Sequence, residues 1–182
     1  MPFELIDASS MRVHIDYEYL TAGELGNQLI RLQSAARSLV GIGRERWRYD
    51  LQGEPHIVVK SFHTEHSAEY WLALANLAAT VSQPLWAPFA LLMWRRLIAA
   101  IYFFIKGELP QQQSYDPSVQ VTLNSGSEED LRIFLRPDSL TKEQLQKAKS
   151  LVSSLIYPAN KVSLKHENIE ITIVRSRKRR SG

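Results

Sequence analysis

The chain has 182 residues, of which 45% are hydrophobic and 23% charged, with a formal net charge of +3 and no cysteine. That length suits one domain of ordinary globular composition, and the lack of cysteine excludes a disulfide scaffold, a thiol nucleophile and a cysteine zinc site. Five cations, Arg175, Arg177, Lys178, Arg179 and Arg180, sit in the last eight residues, and without them the net charge is −2, so the basicity belongs to the tail.

The first residues carry acid and lack a basic, apolar leader pattern, so no signal peptide is expected over 1–7. Phe3 to Ile6 is a short strand candidate. Met11 to Leu20 alternates, with Val13, Ile15, Tyr17 and Tyr19 on one side and His14, Asp16 and Glu18 on the other. Period two with β-branched and aromatic residues predicts a half-buried strand. Thr21-x-x-Glu24 is a capping box, and Leu25, Leu29, Leu32, Ala36 and Leu39 follow at helical spacing, so a helix is expected to end near Gly41 or Gly43.

A polar loop over 41–53 interleaves Arg44, Arg46, Trp47, Arg48 and Tyr49. His56 to Phe62 reads as a second strand, centred on Ile57-Val58-Val59. Glu69 to Lys106 is then the most apolar stretch, free of charge from Trp71 to Trp94. Pro84 and Pro88 divide it, and each disfavours helix in the residue before it. The expectation is an antiparallel helical hairpin: one helix from Thr64 or Ser67 to Ser82, a second from Pro88 to Lys106, about 24 and 28 Å long.

Residues 107–117, with three glutamines and two prolines, read as a linker. Val119 to Leu123 and Asp130 to Arg136 are expected to form a β-hairpin turned at Asn124 to Ser127. Thr141-x-x-Gln144 caps a helix whose inner face is Leu145, Ala148, Val152 and Leu155, stopped by Pro158. Val162 to Leu164 and Ile169 to Val174 close a last hairpin at His166-Glu167-Asn168. The resulting order, β-β-α-β-α-α-β-β-α-β-β, defines an α+β fold with a mostly antiparallel sheet. It divides into a unit over 1–106, the linker, a lobe over 118–174 belonging to the same sheet, and the tail at 175–182.

No catalytic signature is present: there is no nucleophile elbow, Walker loop or dinucleotide fingerprint. His63 and His66 lie three apart, not in the four-residue zinc-hydrolase spacing, and read as surface residues. His14, Asp16 and Glu18 read as a solvated strand face. No metal, cofactor or small-molecule substrate is therefore expected. The wheel of each apolar helix shows a narrow polar stripe on an apolar body. This points to an interface, with Trp71, Leu74, Leu77, Trp86, Leu91, Trp94, Arg95, Arg96, Ile98, Ile101 and Tyr102 meeting a second copy or lipid.

In layout, residues 11–106 resemble small proteins of prophages and bacterial anti-phage systems, and the resemblance implies an accessory or effector subunit. The leading expectation is a non-enzymatic, cytoplasmic, self-associating subunit that assembles through 69–106. A second is a membrane-acting protein that inserts the helix pair on oligomerisation, with its tail at an anionic leaflet. A third is a nucleic-acid-binding accessory using Arg44, Arg46, Trp47, Arg48, Arg177, Lys178, Arg179 and Arg180.

Overall fold

Strand β2 (Met11–Tyr17) buries Met11, Val13 and Ile15 and leaves Arg12, His14 and Asp16 half exposed. This strand joins the two halves of the sheet, because it pairs with the strand Ser67–Asn76 on one edge and with the strand Ala159–His166 on the other. The computed structural model describes residues 4–5, 10–17, 20–40, 55–64, 67–76, 87–109, 116–156 and 159–176. The loop at 41–53, most of the linker and the tail beyond Ser176 lie outside the described residues.

Helix α1 (Ala22–Val40) starts at the capping box: Glu24 N donates to Thr21 Oγ1 at 3.1 Å, and Thr21 N donates to Glu24 Oε2 at 2.8 Å. Leu32, Ala35, Ala36 and Leu39 form its buried stripe. After it, β3 (Pro55–Thr64) and β4 (Ser67–Asn76) make an antiparallel hairpin. The helix expected from 64 or 67 to 82 is therefore corrected: its described part, 67–76, is strand. From Tyr70 to Ala75 every residue is apolar, so helical and alternating periods both fit, and the ambiguity is settled by partners. β2 pairs one edge of β4 and β3 the other, which satisfies the backbone of β4 as a central strand.

Helix α2 (Ala87–Lys106) supplies the core. Every residue from Leu97 to Ile105 is buried, on all sides of the helix. A helix apolar all round is an interior helix. It lies against β5, β6 and β7 and is covered by α1, α3 and α4. Each large side chain enclosed there contributes about 1.5–3 kcal/mol. The helix stops at Gly107, whose φ of 77° takes the left-handed conformation. Gly107 N donates to Phe104 O at 3.1 Å and Glu108 N to Phe103 O at 3.0 Å, the paired bonds of a Schellman motif.

β5 (Val119–Ser125) forms as expected, but 130–136 is not its partner strand. Glu128–Phe134 is helix α3, another correction. Ser127 Oγ accepts from Asp130 N at 3.1 Å, and Glu128, Glu129 and Asp130 place three acids in the first turn. Cap and dipole together outweigh the alternation of Leu131, Ile133 and Leu135. A 3-10 turn at Pro137–Ser139 leads to α4 (Lys142–Ile156), opened by the reciprocal Thr141–Gln144 box. β6 (Ala159–His166) and β7 (Ile169–Arg175) form the last hairpin.

Adding β1 (Glu4–Leu5), the described residues form a seven-stranded antiparallel sheet. β1 shares an edge of β4 with β2, since β3 occupies the other edge there. The order across the sheet is β3-β4-β2-β6-β7-β5. Two units of one design stand side by side. β2-α1-β3-β4 is followed in space by β5-α4-β6-β7, each with its strands in the order second, third, first. The join is β2 against β6. The equivalent helices pack on each other: Gln28 Nε2 donates to Ser154 O at 3.2 Å, Arg31 Nη1 to Ser150 O at 2.9 Å and Gln144 Nε2 to Ser38 O at 2.9 Å. α2, which lies between the units in sequence, packs on α1 of the first unit and on α4, β5, β6 and β7 of the second. None of the described helices is long and apolar enough to cross a membrane.

Candidate functional surface on the open face of the sheet

The inward residues Met11, Val13 and Ile15 of β2, Val162 and Leu164 of β6, and Ile171 and Ile173 of β7 are buried. The outward positions form a broad polar face, exposed or half exposed except at the buried Thr172. The register lays this face out in rows. One row runs from His63 on β3 through Glu69, His14, Ser163 and Thr172 to Thr122 on β5. The row beside it runs Ser61, Trp71, Arg12, Lys165, Glu170, Ser125. On the other side lie Ser67, Asp16, Lys161, Val174 and Gln120.

His14 is the densest point of this surface. Its Nδ1 is 3.2 Å from Glu69 Oε2 and its Nε2 3.1 Å from Asp16 Oδ1, so the ring lies between two carboxylates. Ser163 faces His14 across the β2–β6 pair, which assembles the residue types of a nucleophilic triad. The hydroxyl, however, is engaged sideways: Ser163 Oγ lies 3.3 Å from Thr172 Oγ1, and Asn124 Nδ2 donates to Thr172 Oγ1 as well. With both imidazole nitrogens held by carboxylates, this arrangement is a hydrogen-bonded network that orders the face. Of the described cations here, Arg12 and Lys165 both lie 3.9 Å from Glu170 Oε2, so they share one carboxylate and do not make a basic patch. Among the described residues no group of three or more acidic or histidine side chains is placed to hold a metal.

The covered face has its own polar positions. His166, at the end of β6, is fully enclosed, and neither ring nitrogen has a hydrogen-bond partner. Burial, with a smaller push from Arg95, lowers its pKa to about 4 against the opposing pull of Glu167. The adjacent turn is tied to α2 by Arg95 Nη2, which donates to Glu167 Oε2 at 2.7 Å, while the guanidinium carbon of Arg95 sits 4.8 Å from the centroid of the Phe134 ring. At the other end of α2, the Tyr102 hydroxyl donates to Glu128, with Lys106 Nζ 3.7 Å from the same carboxylate. Burial, then the Glu128 bond, raises the Tyr102 pKa, and the same bond holds the Glu128 carboxyl below its usual range. These contacts dock α3 on α2.

The residues expected to form one interface are dispersed. Trp94, Ile98 and Ile101 have no exposed surface and Tyr102 almost none, so they form the core of a single chain. Placing them on a surface for a second copy or for lipid is corrected on that ground. Arg95 and Arg96 are half buried, and burial lowers the Arg96 pKa. Trp71 and Leu74 lie three residues apart on β4, paired with Arg12 and Ile57 respectively, and Leu91 lies in the first turns of α2. Leu77, Trp86, Arg44, Arg46, Trp47, Arg48, Arg177, Lys178, Arg179 and Arg180 lie outside the described residues.

Alternation along β2 groups His14 with Asp16 but gives no sign of Glu69, which falls in the stretch expected to be helical. Only the β2–β4 register brings that carboxylate to the ring. No protein family, curated protein or solved structure matches this chain.

Proposed function

We propose that this chain is a non-enzymatic, self-associating accessory or effector subunit, and that it assembles through the outer edges of its sheet. One observation carries the reading: among the described residues, β3 and β5 are each paired along one side only. An unpaired strand edge offers a row of backbone donors and acceptors to another strand, and folded chains either guard such edges or use them. α2 is spent inside the chain, so the sheet edges take over the role that the sequence suggested for a helix pair. The basic tail gives such a subunit a cationic end suited to nucleic acid or anionic lipid.

Sedimentation velocity on the full chain across a concentration series tests this reading. The expected result is a mass that rises with concentration above the 20.8 kDa of one chain. One chain's mass at every concentration contradicts it.

A further inference from the structure

The chain already contains a worked example of how two of its units join. Inside it, the first strand of one unit, β2, receives the first hairpin strand of the next, β6. The two free edges of the sheet belong to the same two kinds of strand. β5 is the second unit's counterpart of β2, and β3 is the first unit's counterpart of β6. We propose that β5 of one copy pairs antiparallel with β3 of the next, repeating the β2–β6 join between molecules in a head-to-tail series. The proposal rests on the self-association argued above and specifies its geometry.

The register follows from the hairpins. β6–β7 closes at His166 opposite Ile169, and β3–β4 closes at Thr64 opposite Ala68. Lys165 and Leu164 therefore correspond to His63 and Phe62. Two residues into the following strand, Tyr70 opposes Val13 and Ile171 opposes Leu123. Leu123 and Thr122 thus correspond to Val13 and Arg12. The internal join sets Arg12 opposite Lys165 and Val13 opposite Leu164. Substitution by the equivalent residues sets Thr122 of one copy opposite His63 of the next, and Leu123 opposite Phe62.

Three features agree with that register. Thr122 and His63 both stand in an open-face row, while Leu123 and Phe62 both stand in helix-side rows, so the two faces of the sheet continue without inversion. Val121 and Leu123 are only partly buried although their partners Ile173 and Ile171 are enclosed, so the β5 edge has apolar surface left to cover. The irregularities of the edge strands fall between Val59 and Ser61 and between Leu123 and Ser125, flanking 62–64 and 121–123 rather than interrupting them. They confine pairing to a short stretch, so assembly grows with concentration. Because the two surfaces differ, the contact is heterologous and the series is open unless it closes into a ring.

The absence of cysteine makes the register directly testable. Opposed antiparallel positions lie about 4.5–5.5 Å apart at Cα, within the range of about 4.4–6.8 Å that a disulfide spans. The full-length double variant Thr122→Cys with His63→Cys, mildly oxidised, is expected to give a reducible ladder of dimers and higher species. Gln120→Cys with Ser61→Cys, displaced by four residues and so by about 13 Å, is expected to give little. Equal yields from both pairs overturn the register. Dimers from Thr122→Cys alone overturn the head-to-tail arrangement in favour of β5 pairing with β5. Concentration-dependent mass without the ladder sinks the proposed pairing and leaves self-association standing, whereas one chain's mass throughout removes both.

Discussion

His166 makes the fold sensitive to acid, and the size of the effect can be worked out. The enclosed imidazole has a pKa of about 4, against an ordinary value near 6.5. Between those values the unfolded chain binds a proton that the folded chain refuses. Its contribution to stability is therefore complete above pH 6.5, falls as the pH drops, and levels off below about pH 4. At about 1.4 kcal/mol per pH unit between those two values the whole loss is at most ~3.5 kcal/mol. His166→Leu removes the titration. It also removes two buried nitrogens without partners, so the variant should be no less stable than the parent at pH 7.5. Urea unfolding of both proteins at pH 7.5, 6.0 and 5.0 measures the difference. The stability gap should move in favour of the variant by about 1 kcal/mol or more between pH 6.0 and 5.0. A gap that stays constant with pH would show that the ring is not held neutral and enclosed.

Ile98→Asp places a carboxylate at a position with no exposed surface, so it should abolish cooperative folding as seen by circular dichroism. A folded monomer would instead mean that this position lies at an interface. Thr21→Ala and Thr141→Ala each remove a cap acceptor from the first turn of α1 or α4. Each should cost about 1 kcal/mol in chemical denaturation, and their sum should be additive because the two caps share no partner.

What could be read from the sequence was what local chemistry decides. Both capping boxes form with both of their bonds, the alternation of Val13 and Ile15 against His14 and Asp16 is the burial pattern of β2, and the last hairpin turns where His166, Glu167 and Asn168 allow it. What could not be read depends on partners. Residues 67–76 satisfy two periods at once, and only flanking strands on both sides select the strand. At 130–136 the apolar alternation favours a strand, while Ser127 followed by three acids carries the competing signal for a helix. The repeated strand-helix-strand-strand unit is not legible in the order of elements expected from the sequence. Its meaning needed the register, since no residue-level repeat joins β2 with β5. Glu69 reached His14 for the same reason: the two are 55 positions apart in sequence and become neighbours only through strand pairing.

The described part of the long apolar stretch is a strand paired along both edges and a helix at the centre of the core, and the proposed assembly therefore uses the sheet edges. Hydrogen exchange on the unmodified chain, followed residue by residue over a concentration series, tests this most directly. The account predicts that amides of 97–105 are strongly protected at every concentration, while those of 61–64 and 119–123 gain protection as concentration rises. Protection that rises with concentration in 97–105 and stays unchanged at both strand edges would contradict it and return the interface to the helix.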